Sequence, residues 1–142
     1  MKPTIKINTE LPEIGIPFDP MIVYFSYKVF ISYEVTPSKG KFAILLFEHP
    51  IEVKITPIND DGIGSHRFAR FGLTWYSIHE ITDIEETEKW ITRNPTYWVF
   101  TFKDRTFEIL GSPPLVIERE CSIEVVSQHL ETFTKIQNEH LY

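Results

Sequence analysis

A chain of 142 residues, 42% hydrophobic and 14% aromatic, is long enough to bury a self-sufficient core and suggests one domain. Its one cysteine, Cys121, excludes an internal disulfide framework and a cysteine-based zinc cluster, and no apolar run approaches the roughly 20 residues of a membrane span. The net charge of −6 lies wholly in the second half: residues 1–71 carry eight basic and eight acidic side chains, residues 72–142 six and twelve. That balance disfavours nucleic acid and anionic membranes and favours a basic protein partner. With no charged-then-apolar leader at the start, the expected compartment is the cytoplasm.

Residues 1–20 read as an N-terminal arm. Thr4 to Asn8 alternate and suit an edge strand, and Pro12, Gly15, Pro17 and Pro20 then break regular structure. Residues 21–142 read as one domain. From Val23 to Val35 apolar residues recur at every second position, which predicts one long bent strand or two strands joined near residues 26–28. Ser38-Lys39-Gly40-Lys41 is a turn. Residues 42–47 form an apolar run of strand length, and Ile51, Val53 and Ile55 alternate after Pro50. The first half thus predicts a meander of three or four antiparallel strands. Asn59-Asp60-Asp61-Gly62 is a turn, and residues 63–72 predict a loop or short edge strand.

Residues 73–78 read as a strand. Ile78, Ile81 and Ile84 recur every three residues, which suggests a bulged strand or a turn of helix. Residues 85–91 predict a helical turn or loop, closed by Asn94-Pro95. Trp98, Phe100 and Phe102 share one strand face, Lys103-Asp104-Arg105 turns the chain, and Phe107 and Ile109 share the returning face. This hairpin is the clearest in the chain. After Pro113-Pro114 and a short strand at residues 115–118 comes an amphipathic helix over 122–140. Ser122 is its N-cap, and Ile123, Val126, Leu130 and Phe133 form its apolar stripe, with Ile136 flanking.

The expected fold class is therefore α+β: mainly antiparallel β, a bent sheet or partly open roll of about seven strands, closed by one C-terminal helix. Three segments resemble the pleckstrin-homology-like (PH-like) family and together cover about half of the chain. Trp75-Tyr76-Ser77-Ile78-His79-Glu80-Ile81 resembles its fifth strand, the hairpin from Trp98 to Ile109 its sixth and seventh, and residues 122–140 the helix that caps its open barrel. The resemblance implies a binding module. It also implies that a phosphoinositide site would draw on Lys28, Lys39 and Lys41.

The residues themselves point to two groups. Glu80, Asp83, Glu85, Glu86 and Glu88 place five carboxylates in nine residues beside Trp90, Tyr97 and Trp98. Glu85, Glu86, Glu88 and Trp90 are the expected contacts for a basic protein partner, the aromatic supplying an anchor. Trp75 and Trp98 read as core. Lys39, Lys41, His66, Arg67 and Arg70 form the second group, a candidate anion site. The five histidines are scattered, and adjacent His79 and Glu80 point to opposite faces of a strand, so no metal or other cofactor is expected. No nucleophile elbow, P-loop or dinucleotide fingerprint occurs, and nothing in the pattern orients Cys121 as a nucleophile. The expectation is a non-catalytic protein-binding module, an immunity-type neutraliser of a cationic toxin being one specialised form. The alternatives are a small-ligand-binding or enzymatic barrel with an aromatic-lined pocket, and membrane-surface recognition through Lys39 and Lys41.

Overall fold

The computed structural model describes residues 2–15, 19–37 and 39–139. Pro17, Ser38, the Ile136 side chain and His140, which figure in the patterns above, lie outside the described residues. The chain is mostly antiparallel β with one long C-terminal helix. In order come β1 (Thr4–Ile7), β2 (Met21–Phe25), β3 (Lys28–Glu34), β4 (Phe42–Glu48), β5 (Glu52–Thr56), β6 (Ile78–Thr82), α1 (Glu85–Lys89), β7 (Thr96–Thr101), β8 (Thr106–Gly111), β9 (Leu115–Cys121) and α2 (Ile123–Glu139). Two sheets result: five strands in the order β1-β6-β7-β8-β5, and four in the order β2-β3-β4-β9. Among the described residues no helix is long and apolar enough to cross a membrane.

The expected single roll of about seven strands is corrected to nine strands in two sheets among the described residues. The first-half meander stops at β4. His49 takes a positive φ of 51°, the chain turns away, and β5 pairs with β8 of the other sheet. The place beside β4 goes to β9. Alternation identifies β5 as a strand, but it carries no information about its partner. The run from residue 21 is two strands: Ser26 and Tyr27 both take positive φ (48° and 66°), the geometry of a tight two-residue turn. The expected strand over 73–78 begins only at Ile78, and Tyr76 just before it has φ 51°. Residues 63–72 form two short 3-10 turns, Ile63–Ser65 and Ala69–Phe71.

The central strands β3, β4, β7 and β8 are buried on both faces, which accounts for sequence patterns that alternation does not fit. Between the sheets lie Val29, Ile31 and Tyr33 of β3, Ala43, Leu45 and Phe47 of β4, and Trp98, Phe100, Phe107 and Ile109 of the hairpin. Phe47 meets Trp98, Phe100 and Phe107 edge-on at 6.0–6.4 Å between ring centroids. The outer face of the five-stranded sheet is covered by residues 63–73 and α1, through Ile63, Phe68, Leu73, Ile81, Ile84, Tyr97, Val99 and Leu110. Ile78 faces the inner layer and Ile81 the outer one, so isoleucines three apart serve two faces of a regular strand. β6 pairs with β7 in unbroken register, and the expected bulge is absent there.

Helix α2 lies on the outer face of the four-stranded sheet, not over the end of a roll. Val126 and Phe133 pack with Phe30, Ile44 and Cys121, and the Phe30 and Phe133 rings are 5.6 Å apart. Ser122 caps the helix, its hydroxyl oxygen accepting the Val125 N–H at 3.3 Å. Ile123, expected in the apolar stripe, is 46% exposed. β9 ends two residues earlier, so the first helical turn stands beyond the sheet.

The N-terminal arm is sewn into this framework. β1 pairs with β6 from Thr4↔Thr82 to Ile7↔His79, and the Tyr33 hydroxyl donates to the Pro12 carbonyl at 2.6 Å. Gly15 passes so close to β3 that a Cβ there would meet the Glu34 carbonyl oxygen at 2.9 Å, and only glycine fits.

Candidate functional site

The acidic segment becomes one short helix because its own side chains start it. Asp83 breaks β6 with φ 61°. The Thr87 hydroxyl then accepts the Ile84 N–H and donates to the Ile84 carbonyl, closing the first turn. Ile84 and Thr87 face inward, while Glu85 and Glu88 face solvent. Trp90 is half-buried against the outer apolar layer, and Ile91 beyond it is 62% exposed. Tyr97 and Trp98 are buried and present no surface, Trp98 standing in the core as its residue type suggests. Trp75, expected in the core, is instead 57% exposed and donates its indole N–H to the Asp60 carbonyl at 2.8 Å.

Glu86 is held apart from its neighbours. Arg67 grips it with two guanidinium nitrogens, Nη1 to Oε2 at 2.7 Å and Nη2 to Oε1 at 3.0 Å. The guanidinium also lies 4.3 Å from the Phe68 ring centroid and 5.6 Å from that of Tyr97. Partial burial alone would raise the Glu86 carboxyl, but the Arg67 bond outweighs it and holds it below the usual carboxylate range. Burial would likewise lower Arg67, and Glu86 reverses that. A surface depression of about 320 Å³ results, lined by Glu52, Arg67, Glu85, Glu86, Lys89 and Trp90.

The five candidate anion contacts do not converge. Lys39 and Lys41 stand exposed at the β3–β4 turn of the four-stranded sheet. Arg67 and Arg70 belong to the cover over the other sheet, where Arg67 is committed to Glu86 and Arg70 lies over the Phe71 ring at 4.9 Å. His66 is only 6% exposed and is engaged from below. Lys28 pairs with Glu48 at 3.6 Å.

Beneath the cover runs a polar row that sequence reasoning missed. Register aligns Ile7, His79, Val99, Glu108 and Lys54 across five strands on one face. Glu108 is 2% exposed. Its Oε1 accepts the Tyr97 hydroxyl at 3.0 Å and faces His66 Nε2 at 3.3 Å. His66 Nδ1 accepts the Phe68 N–H at 3.1 Å, so the ring proton is on Nε2 and points at the carboxylate. Burial alone would raise Glu108, yet the His66 and Tyr97 bonds prevail and hold it below its ordinary value. Burial and the adjoining carboxylate push the Tyr97 phenol far up.

His79 is fully buried and has a different arrangement. Its Nε2 accepts the Thr74 N–H at 3.0 Å, and Nδ1 lies 3.0 Å from the Val99 carbonyl, to which it therefore donates. Burial lowers its affinity for a second proton, more than the Val99 bond raises it. The available signal was strand parity: His79 and Glu108 occupy positions out of phase with the inner aromatics, where an exposed face would be polar. Only the cover, which has no periodicity, makes them buried.

Other titratable groups are explained locally. Asp60 accepts the Tyr76 hydroxyl at 2.6 Å and pushes that phenol up to about 12. His129 pairs with Glu118 at 3.2 Å beside the apolar stripe of α2. Cys121 is buried, its thiol pushed up by burial and then by Glu118. Among the described residues no group of three or more His, Cys, Asp or Glu side chains could hold a metal ion.

No known protein family matches this chain, and no characterised protein or solved structure shows significant similarity to it. Its function must be argued from its own geometry.

Proposed function

We propose that this chain is a non-catalytic binding module of PH-like descent that docks a basic protein partner on the α1 face, through Glu85, Glu86, Glu88 and Trp90. The observation that carries the reading is the state of the carboxylates. Glu85 and Glu88 are exposed and make no ion pair among the described residues, while Trp90 and Ile91 offer apolar surface directly after them. A basic side chain would find unneutralised charge there with an aromatic edge beside it, the composition of an interface anchor. Arg67 fixes Glu86 and so orients the turn.

Two further features support this reading over a ligand-binding or enzymatic barrel. The aromatic side chains between the sheets pack against one another: Phe100 contacts Tyr33, Phe47, Phe102 and Phe107 within 6.4 Å between centroids. Among the described residues both buried carboxylates, Glu34 and Glu108, and both buried imidazoles are bonded to protein partners. The PH-like part of the reading rests on the resemblance of residues 75–81, 98–109 and 122–140, within which a strand, a hairpin and a helix form, the helix seating on a sheet face where the resemblance implies the end of a barrel.

The test is a comparative affinity purification from native extract at low and high salt. Wild type is set against Glu85→Lys/Glu88→Lys and against Trp90→Ala, with Glu86 left intact because it holds Arg67. The expected result is a salt-sensitive partner retained by wild type and lost by both variants, with unchanged melting curves. A partner retained equally by all three proteins places the interface elsewhere and overturns the reading.

A further inference from the structure

The cover over the five-stranded sheet is fastened in an unusual way. Residues 63–74 are tied to what lies beneath through four residue pairs, the Thr74 hydroxyl joining its N–H beside His79 Nε2 at 3.3 Å. His66 meets Glu108, Arg67 meets Glu86, the Thr74 N–H meets His79, and the Thr101 hydroxyl donates to the Thr74 carbonyl at 2.8 Å. Three of the four run through groups that hold their partners only in the deprotonated state present at neutral pH. Of these links, the one in which an imidazole beneath the cover accepts from it is that of His79. A ring nitrogen that accepts a backbone N–H cannot carry a proton of its own.

We propose that His79 is an acid-sensitive latch: protonation of its ring ejects the Thr74 N–H and frees residues 63–74 from the outer face of the sheet. The neighbours of His79 make the ring hard to charge in place. β1 presents Ile7 opposite it and β7 presents Val99. The carboxylate on this row, Glu108 of β8, lies two strands away and is already occupied by His66 and Tyr97. Lys54 of β5 is one strand further, and Arg67 of the cover is neutralised by Glu86 of α1. His66 of the cover is a neutral ring whose two nitrogens are taken by Glu108 and the Phe68 N–H. No anion stands ready to stabilise an imidazolium there. A proton is therefore accommodated by opening, with the ring reaching solvent and Thr74 losing its acceptor. Leu73, Phe68 and Ile63 leave with the cover, and Ile81, Val99 and Leu110 beneath it become accessible.

The size of the effect follows from linkage. A ring that stays neutral when closed and titrates near 6.5 when open makes opening about thirtyfold more favourable at about pH 5 than at neutral pH. Amide hydrogen exchange reads this directly, as protection factors corrected for the intrinsic pH dependence. In wild type, the Thr74 amide and those of residues 63–74 are expected to lose about thirtyfold protection between about pH 7.5 and pH 5, while β7–β8 amides hold. His79→Gln offers an amide oxygen to Thr74 and has no proton to gain, so its cover should exchange alike at both pH values. Equal protection of the wild-type cover at both values overturns the latch. So does the same loss in the Gln variant, or a parallel loss in β7–β8, which would report general unfolding. Should His79→Gln not fold, nitrogen NMR of the wild-type ring decides. A second ring proton arriving together with loss of Thr74 protection supports the latch, and a ring that titrates while Thr74 stays protected refutes it.

Discussion

Replacing Phe133 by alanine probes the seat of helix α2. The side chain is 9% exposed and packs on Phe30 at 5.6 Å, with Ile44 and Val126 around it. Truncating a buried phenylalanine costs about 3–5 kcal/mol, of which part is the void left behind. Here Phe133 also lines an open groove of about 280 Å³ shared with Lys28, Leu46, Ile117 and His129. Water can enter the space from that open side, so the void term shrinks. The expected loss is about 3 kcal/mol, or about 10 °C in Tm for a domain of this length. Urea denaturation followed by far-UV circular dichroism measures it, with Ile123→Ala as the control. Ile123 belongs to the same sequence stripe but is 46% exposed, and its loss should stay within about 0.5 kcal/mol. Equal destabilisation by the two substitutions would refute the placement of the helix, because only a helix buried along its whole stripe responds that way.

Two other perturbations address the polar row. Glu108→Gln keeps the shape but removes the charge and turns an amide N–H towards one of two donors, Tyr97 or His66. About 2–3 kcal/mol should be lost in urea melts, and an unchanged midpoint would mean that the carboxylate is not ionised in the fold. Stability should also fall with acid in two stages. His79 binds its proton less readily folded than unfolded, so its contribution is complete above about pH 6.5 and declines below that value. Glu108 and Glu86 are held below their ordinary range, so their contributions persist to about pH 4.3 and are lost as pH falls further. A urea midpoint that is flat from about pH 7 to pH 5 would remove the first stage.

What the sequence made legible was local. The hairpin from Trp98 to Ile109 is readable because its aromatics alternate and its turn is polar, and both signals concern adjacent residues. Strand existence at 4–8, 21–35, 42–47 and 51–55 follows from the same alternation. Partnership does not, and alternation at 51–55 carries no sign that β5 pairs with β8 rather than continuing the meander beside β4. His66 illustrates the second kind of loss. Between Ser65 and Arg67 it reads as part of a basic surface loop, whereas it points inward because Glu108, 42 positions later, offers it an acceptor. Glu86 reads as one of a run of equivalent carboxylates, and only the fold shows Arg67 bound to it. Trp75 reads as core by residue type, yet the turn at Tyr76 carries it to the surface.

The pairing of β1 with β6 has a consequence for how the molecule is made. Thr4 must wait for Thr82, and β5 must wait for β8, before either has a neighbour. A chain emerging from the ribosome can close β2, β3 and β4 early, since they follow one another in sequence and pair in that order. Their inner face, with Val29, Ile31, Leu45 and Phe47, then has no cover until the β7–β8 hairpin is synthesised. Loop closure over such spans slows folding and leaves an apolar, strand-edged intermediate. Nascent-chain lengths between β4 and β8 are therefore those at which this protein most needs a chaperone. The hairpin, last of the inner elements to appear, is the step that commits the whole molecule.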